Sequence, residues 1–257
     1  MKKLFVYWVA FAAVTILASC DKRSFTETVE GVKFDMVYVK GGTFNMGATD
    51  EQGPEDPDDD EYPVHPVTLS DYYIGKFEVT QGLWKAVMGS NPSNFKKGDN
   101  YPVECVSWND IQTFLTELNK FTGKKYILPT EAQWEYAARG GAQSKGHKYS
   151  GSDTIDDVAW YGGYSDEGTT HPVGKKQPNE LGLYDMSGNV WEWCSDWFDD
   201  YSSELQTDPT GPETGYNRVL RGGSWNFIAR SCRVSFRYNY LPNLSFFHFG
   251  FRVVLLP

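Results

Sequence analysis

Apolar residues recur along this chain at two distinct periods. Trp108, Ile111, Leu115 and Leu118 fall three and four residues apart, the stripe of a helix with one buried face. Ser107 stands where an N-cap is needed, and Gly123 where a left-handed residue would end the helix. A second helix is predicted over Glu131 to Arg139, because Thr130 and Gln133 form a capping box and Gly140-Gly141 follow. Thr80 to Met88, closed by Gly89, gives a third. Alternation of period two, the mark of a half-buried strand, runs through Met36 to Val39, Val67 to Val79, Arg218 to Trp225 and Phe249 to Leu255. Gly140 to Asn179 and much of Trp191 to Gly215 are Gly-rich and aromatic without a clear period. A chain with so few regular elements needs specific local interactions to hold its loops.

Composition adds a core and removes some partners. With 257 residues, 40% hydrophobic and 16% aromatic, the chain is far from the signature of disorder. It shows no solenoid or propeller repeat and no dividing linker, so one mature domain is expected. The formal charge is -10, and the mature region has no basic run longer than a pair such as Lys175-Lys176. Phosphate backbones are bound by clustered Lys and Arg, so nucleic acid is not an expected partner. Asp50 to Glu61 holds eight acidic residues in twelve, but their spacing does not match a calcium loop of the EF-hand type, and a solvated loop is expected.

The first residues read as an export signal. Lys2-Lys3 precede an apolar stretch, Leu4 to Ala18, that is short for a membrane span at about 1.5 Å per residue. Leu17-Ala18-Ser19-Cys20 resembles the bacterial lipobox, in which the cysteine becomes the lipid-modified first residue. The expected organisation is a signal peptide over 1–19, a lipidated N-terminus and tether over 20–33, and a domain over 34–257. Several acyl chains on Cys20 would hold the protein to a membrane of the cell envelope. In an oxidising envelope two of Cys105, Cys194 and Cys232 could pair and leave one thiol, and sequence assigns no pair.

Seven blocks carry a family resemblance. They are Gly41-Gly42-Thr43-Phe44-Asn45-Met46-Gly47, Phe77-Glu78-Val79-Thr80, Pro102 to Trp108, Leu128 to Gly140, Gly182 to Trp193, Arg221-Gly222-Gly223-Ser224-Trp225 and Gly250-Phe251-Arg252. In this order they resemble the formylglycine-generating enzyme (sulfatase-modifying factor) family. The resemblance implies an α+β fold related to C-type lectins, with much irregular structure stabilised by calcium. Founding members of the family oxidise a cysteine of a sulfatase polypeptide to formylglycine with copper and dioxygen. Others are iron-dependent sulfur-chemistry enzymes, maturation factors and envelope lipoproteins of gliding and secretion machinery.

The resemblance also assigns site residues. It implies a calcium ion held by the side chains of Asp185 and Glu192 and the main-chain oxygens of Gly188 and Val190, a hard-oxygen set that suits the ion. A second calcium loop, around Asp157 to Asp166, is shortened here and is not expected to bind. Formylglycine-generating members bind copper(I) between two cysteines five positions apart, and the matching positions are Phe227 and Cys232. Phenylalanine cannot coordinate a metal, so copper is not expected. Cys232 reads either as a reactive thiolate favoured by Arg230 and Arg233 or as a buried structural residue. Ser224 and Trp191 match positions lining the oxygen and substrate pocket. The four histidines are scattered, and no hydrolase, Walker or dinucleotide motif is present. The expectation is an envelope lipoprotein serving as a calcium-stabilised binding or assembly module with an envelope protein as partner. The alternatives are an oxidoreductase or related thiol chemistry at Cys232 and, by fold analogy, a carbohydrate-binding module.

Overall fold

The computed structural model describes residues 23–53, 57–162 and 168–257, and the first element among them is a hairpin with a two-residue turn. β1 (Phe25–Val29) and β2 (Val32–Val39) pair antiparallel around Glu30-Gly31, whose φ angles of 48° and 81° are those a tight primed turn requires. This corrects the tether expected over 20–33. Phe25 already packs edge-on against Tyr73 at 5.2 Å, so the domain begins about ten residues earlier than position 34. The strand was hidden because Glu27 sits on its inward side, where it accepts hydrogen bonds from Tyr126 Oη and Lys124 Nζ. Cys20 and the segment before it lie outside the described residues.

β3 (Gly42–Met46), β4 (His65–Leu69) and β5 (Tyr72–Gly75) follow. The single strand expected over Val67 to Val79 is therefore two strands in different sheets. Ser70 and Asp71 form the break. The Asp208 carboxylate accepts from both Ser70 N and Ser70 Oγ, and Asp71 accepts from Gly41 N at 2.8 Å, so two side chains hold the corner.

The three predicted helices form as α1 (Gln81–Met88), α2 (Trp108–Thr122) and, after the short β6 (Tyr126–Ile127), α3 (Glu131–Ala138). Each is capped as expected. Thr80 accepts from Leu83 N, Ser107 from Asp110 N and Thr130 from Gln133 N, and Gly89 and Gly123 take φ of 75° and 67° at the C-termini of the first two. One further turn, α4 (Ile155–Val158), carried no sequence signal.

The last third supplies β7 (Trp191–Trp197), β8 (Gln206–Thr207), β9 (Arg218–Arg221), β10 (Arg237–Tyr240), β11 (Phe249–Gly250) and β12 (Val254–Leu255). The strand expected to reach Trp225 stops at Arg221, because Gly222 and Gly223 turn left-handed at φ 97° and 74°. The run from Phe249 to Leu255 breaks in its middle, so β11 joins one sheet and β12 another. Among the described residues the sheet orders are β1-β2-β5-β12-β6, β10-β9-β7-β11 and β3-β4-β8. The fold is mixed α and β with few helices, as expected.

Among the described residues two large apolar cores lie between these layers, beside a small third cluster of Tyr149, Val158 and Cys232. In one, α1 and α2 pack together through Trp84 stacked on Phe114 at 5.0 Å, with Phe251 edge-on to both rings. In the other, Trp134 and Tyr136 of α3 meet Tyr72, Met186 and Val219. Charges are buried beside them. Arg221, fully buried, donates to Glu131 Oε1 at 3.0 Å and Glu135 Oε2 at 2.5 Å. Arg237 joins Glu131 at 2.7 Å, and Arg233 joins Glu61 at 2.5 Å. The last pair corrects the solvated reading of the acidic run. Its final residue is fully buried under Arg233 and Ser235, while Asp58 reaches Arg230.

Removing one member of a buried pair leaves an uncompensated charge, at a cost of about 3–5 kcal/mol. Arg221→Met is therefore expected to lower unfolding free energy by about that amount, and urea denaturation followed by tryptophan fluorescence reads it. A loss below about 1 kcal/mol would show that the pair is not structural.

Candidate functional site

The turn before β7 is built from unusual backbone. Asp185, Gly188 and Asn189 have φ of 57°, 80° and 64°. Glycine is required at 188, since a Cβ there would stand 2.2 Å from the Trp160 carbonyl oxygen. Side chains do not bond the turn to itself. Asp185 Oδ2 accepts from Gly174 N at 2.7 Å, and Asn189 Oδ1 accepts from His171 N at 2.9 Å. Asn189 Nδ2 donates to Glu78 Oε2 at 2.6 Å, and Val190 N donates to Glu78 Oε1 at 3.1 Å. Glu78, just before α1, is a buried carboxylate that the sequence reading left without a role. An acidic residue inside an otherwise apolar block was its signal.

Glu192 is held from three directions. Arg252 Nε and Nη2 reach its two oxygens at 2.6 Å each, and Trp134 Nε1 donates at 2.8 Å. A carboxylate has about four lone-pair sites, so one remains for a further partner. Arg252 is anchored in turn by the carbonyls of Gly75 and Tyr184.

Charge does not balance here. Glu78, Asp185 and Glu192 are all at least 97% buried and interact electrostatically, and among the described residues Arg252 is the cation that acts most strongly on Glu78 and Asp185. Burial, then the charges of Asp185 and Glu192, push the Glu78 carboxyl well above its usual range. Burial likewise pushes Asp185 up to about 6. Asp185 Oδ1 is buried without a hydrogen-bond partner. Among the described residues, no three acidic, histidine or cysteine side chains converge closely enough to hold a metal by themselves. A cation beside Asp185 would thus draw part of its shell from main-chain oxygens, which is the composition expected from Gly188 and Val190. The orphaned oxygen and the surplus negative charge fit a divalent ion.

The positions matching the copper ligands diverge chemically. Phe227 lies edge-on to Trp191 at 5.2 Å and packs near Tyr238 and His248. Cys232 is fully buried on another side, against Tyr149 and Val158. Its thiol points to Ile228 O at 4.0 Å, and burial pushes it up to about 12. The arginines expected to favour a thiolate are spent elsewhere, Arg230 on Asp58 and Arg233 on Glu61. Cys105, Cys194 and Cys232 are all free thiols, so the disulfide allowed by sequence does not form. Cys194 lies in the second core and does not replace the missing ligand. Ser224 Oγ bonds Asn226 Oδ1 at 2.8 Å, and Trp191 Nε1 is buried without a partner. Cys232 thus lies against Gly223 beside Ser224, while Trp191 stands with Phe227.

Residues 23–256 match the family described as "Sulfatase-modifying factor enzyme 1-like domain". The chain belongs to that family. It is 34% identical to "Chaperone protein LppX" of Paenibacillus barcinonensis over 89% of this chain and 91% of that protein. The formylglycine-generating enzyme of Streptomyces coelicolor is 33% identical, over 84% and 87%. Among solved structures, Treponema denticola variable protein 1 superposes with a TM-score of 0.82 and 34% identity, covering 91% of this chain and 99% of that one.

His248 is the other group the sequence did not single out, hidden in the aromatic run Phe246 to Phe249. Burial lowers its pKa to about 4 and Nδ1 has no partner, so it stands neutral against Phe246 and Phe247. Because the folded value lies below the usual ~6.5, its contribution to stability is complete above pH ~6.5 and is lost as pH falls towards 4. His248→Phe is expected to remove about 3 kcal/mol of acid sensitivity across that window. Denaturant midpoints compared at pH 4 and pH 7 check this, and an unchanged slope would refute it.

Proposed function

We propose that this chain is a cell-envelope lipoprotein whose sulfatase-modifying-factor domain serves as a calcium-stabilised binding or assembly module without copper oxidase chemistry. The observation that carries the reading is Phe227, which stands at the sequence position of one soft ligand and packs edge-on to Trp191. The remaining thiol supports it, being buried, protonated at neutral pH and without a second sulfur in position. The name of a relative as a chaperone protein agrees with an assembly role. Lipidation at Cys20 rests on the sequence Leu17-Ala18-Ser19-Cys20.

Calcium in this reading is structural. Asp185 and Glu192 would hold it with the carbonyl oxygens of Gly188 and Val190, and Glu78 would keep the turn in place through Val190 N and Asn189. The ion would supply positive charge that Arg252 alone does not. Ordering this turn orders the segment at 171–174, the start of β7 and the Gly222-Gly223 corner together, through His171 N, Gly174 N and the Gly188 N to Gly222 O bond of 2.7 Å.

Removal of calcium with a chelator is expected to lower the melting temperature by several degrees, as loss of a ligand held at about 100 times its Kd costs about 2.7 kcal/mol. Asp185→Asn should abolish that shift. A melting temperature indifferent to both calcium and chelator would remove the structural-ion reading.

Copper separates the leading reading from an oxidoreductase that uses Cys232. Titration with copper(I) should give no stoichiometric thiolate charge-transfer band, and a cysteine-containing sulfatase peptide should show no formylglycine product by mass spectrometry. A product dependent on Cys232 would overturn the proposal in favour of the enzyme.

A further inference from the structure

A cavity of about 470 Å³ opens beside the first hairpin, and its size is that of small-ligand pockets. Phe25, Met36, Val37, Tyr38, Leu181 and Tyr184 make the apolar part of its lining, so β1 and β2 supply one wall and the segment 178–184 another. Neither the turn at 185–190 nor Cys232 lines it. The chain enters the domain at this wall. Ser24, Phe25 and Thr26 line the cavity, Ser24 Oγ accepts from Tyr38 N at 3.0 Å, and the Arg23 guanidinium lies over the Tyr38 ring at 3.4 Å. Two contacts with one lining residue thus pin the first described residues at the cavity edge.

The polar groups of the lining are engaged with one another or turned elsewhere. Asp35 accepts from Thr26 Oγ1 at 2.7 Å and faces Lys76 Nζ at 3.8 Å. Tyr38 Oη donates to Asp71. Glu180 Oε1 faces His147 Nε2 at 3.7 Å and Lys145 Nζ at 4.0 Å, and neither of those residues lines the cavity. Lys76 lays its ammonium over the rings of Phe77 and Tyr184, and the exposed Lys40 keeps its charge in water. A hydrogen-bonding ligand therefore meets few groups in need of a partner, while an apolar one gains by covering the rings and aliphatic side chains.

We propose that this cavity receives one acyl chain of the lipid on Cys20 of the same polypeptide. The inference rests on the lipidation read above from Leu17-Ala18-Ser19-Cys20. Three positions separate Cys20 from Arg23, a span of at most about 11 Å when fully extended, so the anchor is tied close to the cavity edge. An acyl chain so tethered is an intramolecular ligand with an effective concentration on the order of mM, which a free fatty acid in dilute solution does not match. Moving it from bilayer to cavity exchanges one apolar surrounding for another, so the tether geometry decides. The volume suits one chain, and the others on Cys20 stay in the bilayer and still anchor the protein. The hairpin face of the domain is thereby set against the membrane.

Cells expressing the full chain are fed a diazirine-bearing palmitic acid, and the protein is irradiated, purified and read by mass spectrometry. Intact mass reports acylation of Cys20. The expected product is an intramolecular cross-link that joins the Cys20 peptide, through its acyl chain, to a peptide containing Val37 or Leu181. Leu181→Asp puts a charge into the apolar wall and should lower that product about tenfold or more. Should this variant fail to fold by circular dichroism, Thr26→Trp fills the cavity from an exposed position of β1 and should lower the product by a similar factor. An unmodified Cys20 would remove the lipidation reading and this inference with it. With Cys20 acylated, the inference alone would be overturned by cross-links from Cys20 to other lipids only, by cavity peptides carrying labelled fatty acid not joined to Cys20, or by a product unchanged in the variants.

Discussion

Buried guanidinium–carboxylate pairing is the constraint on which this structure depends. Arg221, Arg233 and Arg252 are fully buried, and each is fixed to a glutamate that is itself at least 96% buried. These pairs join segments far apart in sequence. Arg233 ties the corner before β10 to the acidic run more than 170 positions earlier, Arg252 ties the last strands to β7, and Arg221 ties β9 to α3. A loop-rich chain cannot hold such crossings through strand ladders, and planar charge-assisted bonds fix orientation as well as distance. Burying ions is costly, and the return is in which arrangement forms. Each arginine also donates to backbone carbonyls, Arg252 to Gly75 and Tyr184, Arg221 to Val234 and Ser235, and Arg233 to Arg230, while Arg221 Nε is left without a partner.

This framework does not depend on the two positions that match the copper ligands. The turn at 185–190 and the Gly222-Gly223 corner meet through the Gly188 N to Gly222 O bond, and the Cys232 sulfur packs directly against Gly223. None of those contacts requires a second cysteine. Phe227 makes an edge-on aromatic contact with Trp191 instead, so this position contributes packing to the core. Strong sequence blocks thus report the scaffold, and the activity is decided by single positions set upon it.

Much of the scaffold was legible because its signals are local. Thr80, Ser107 and Thr130 announce their helices by capping chemistry that acts within one turn, and all three caps form. Strand limits were less legible where long-range contacts set them. Val67 to Val79 reads as one alternating run, yet Asp208, distant in sequence, holds the corner that divides it. The first hairpin was missed because Glu27 points inward towards Lys124 and Tyr126, which breaks the apolar pattern that would have marked a strand. At the site, the resemblance located the turn and the Cys232 position. It did not reveal Glu78, whose importance follows from the company it keeps after folding, nor that Arg230 and Arg233 point to carboxylates and not to the thiol.

The two acidic places in the molecule differ in how their charge is handled, and the difference follows from geometry. Around Arg221 and Arg237, carboxylates and guanidinium groups alternate closely enough that Glu131 is held below its usual range despite complete burial. Around Arg252, one guanidinium faces three carboxylates, and Glu78 and Asp185 are both pushed up. Desolvation alone does not separate these cases, since all three groups are buried. The number of cations within reach does. The fold matches Glu61, Glu131 and Glu135 with arginine but leaves its turn before β7 short of positive charge, and that shortage is the physical ground for proposing an ion there.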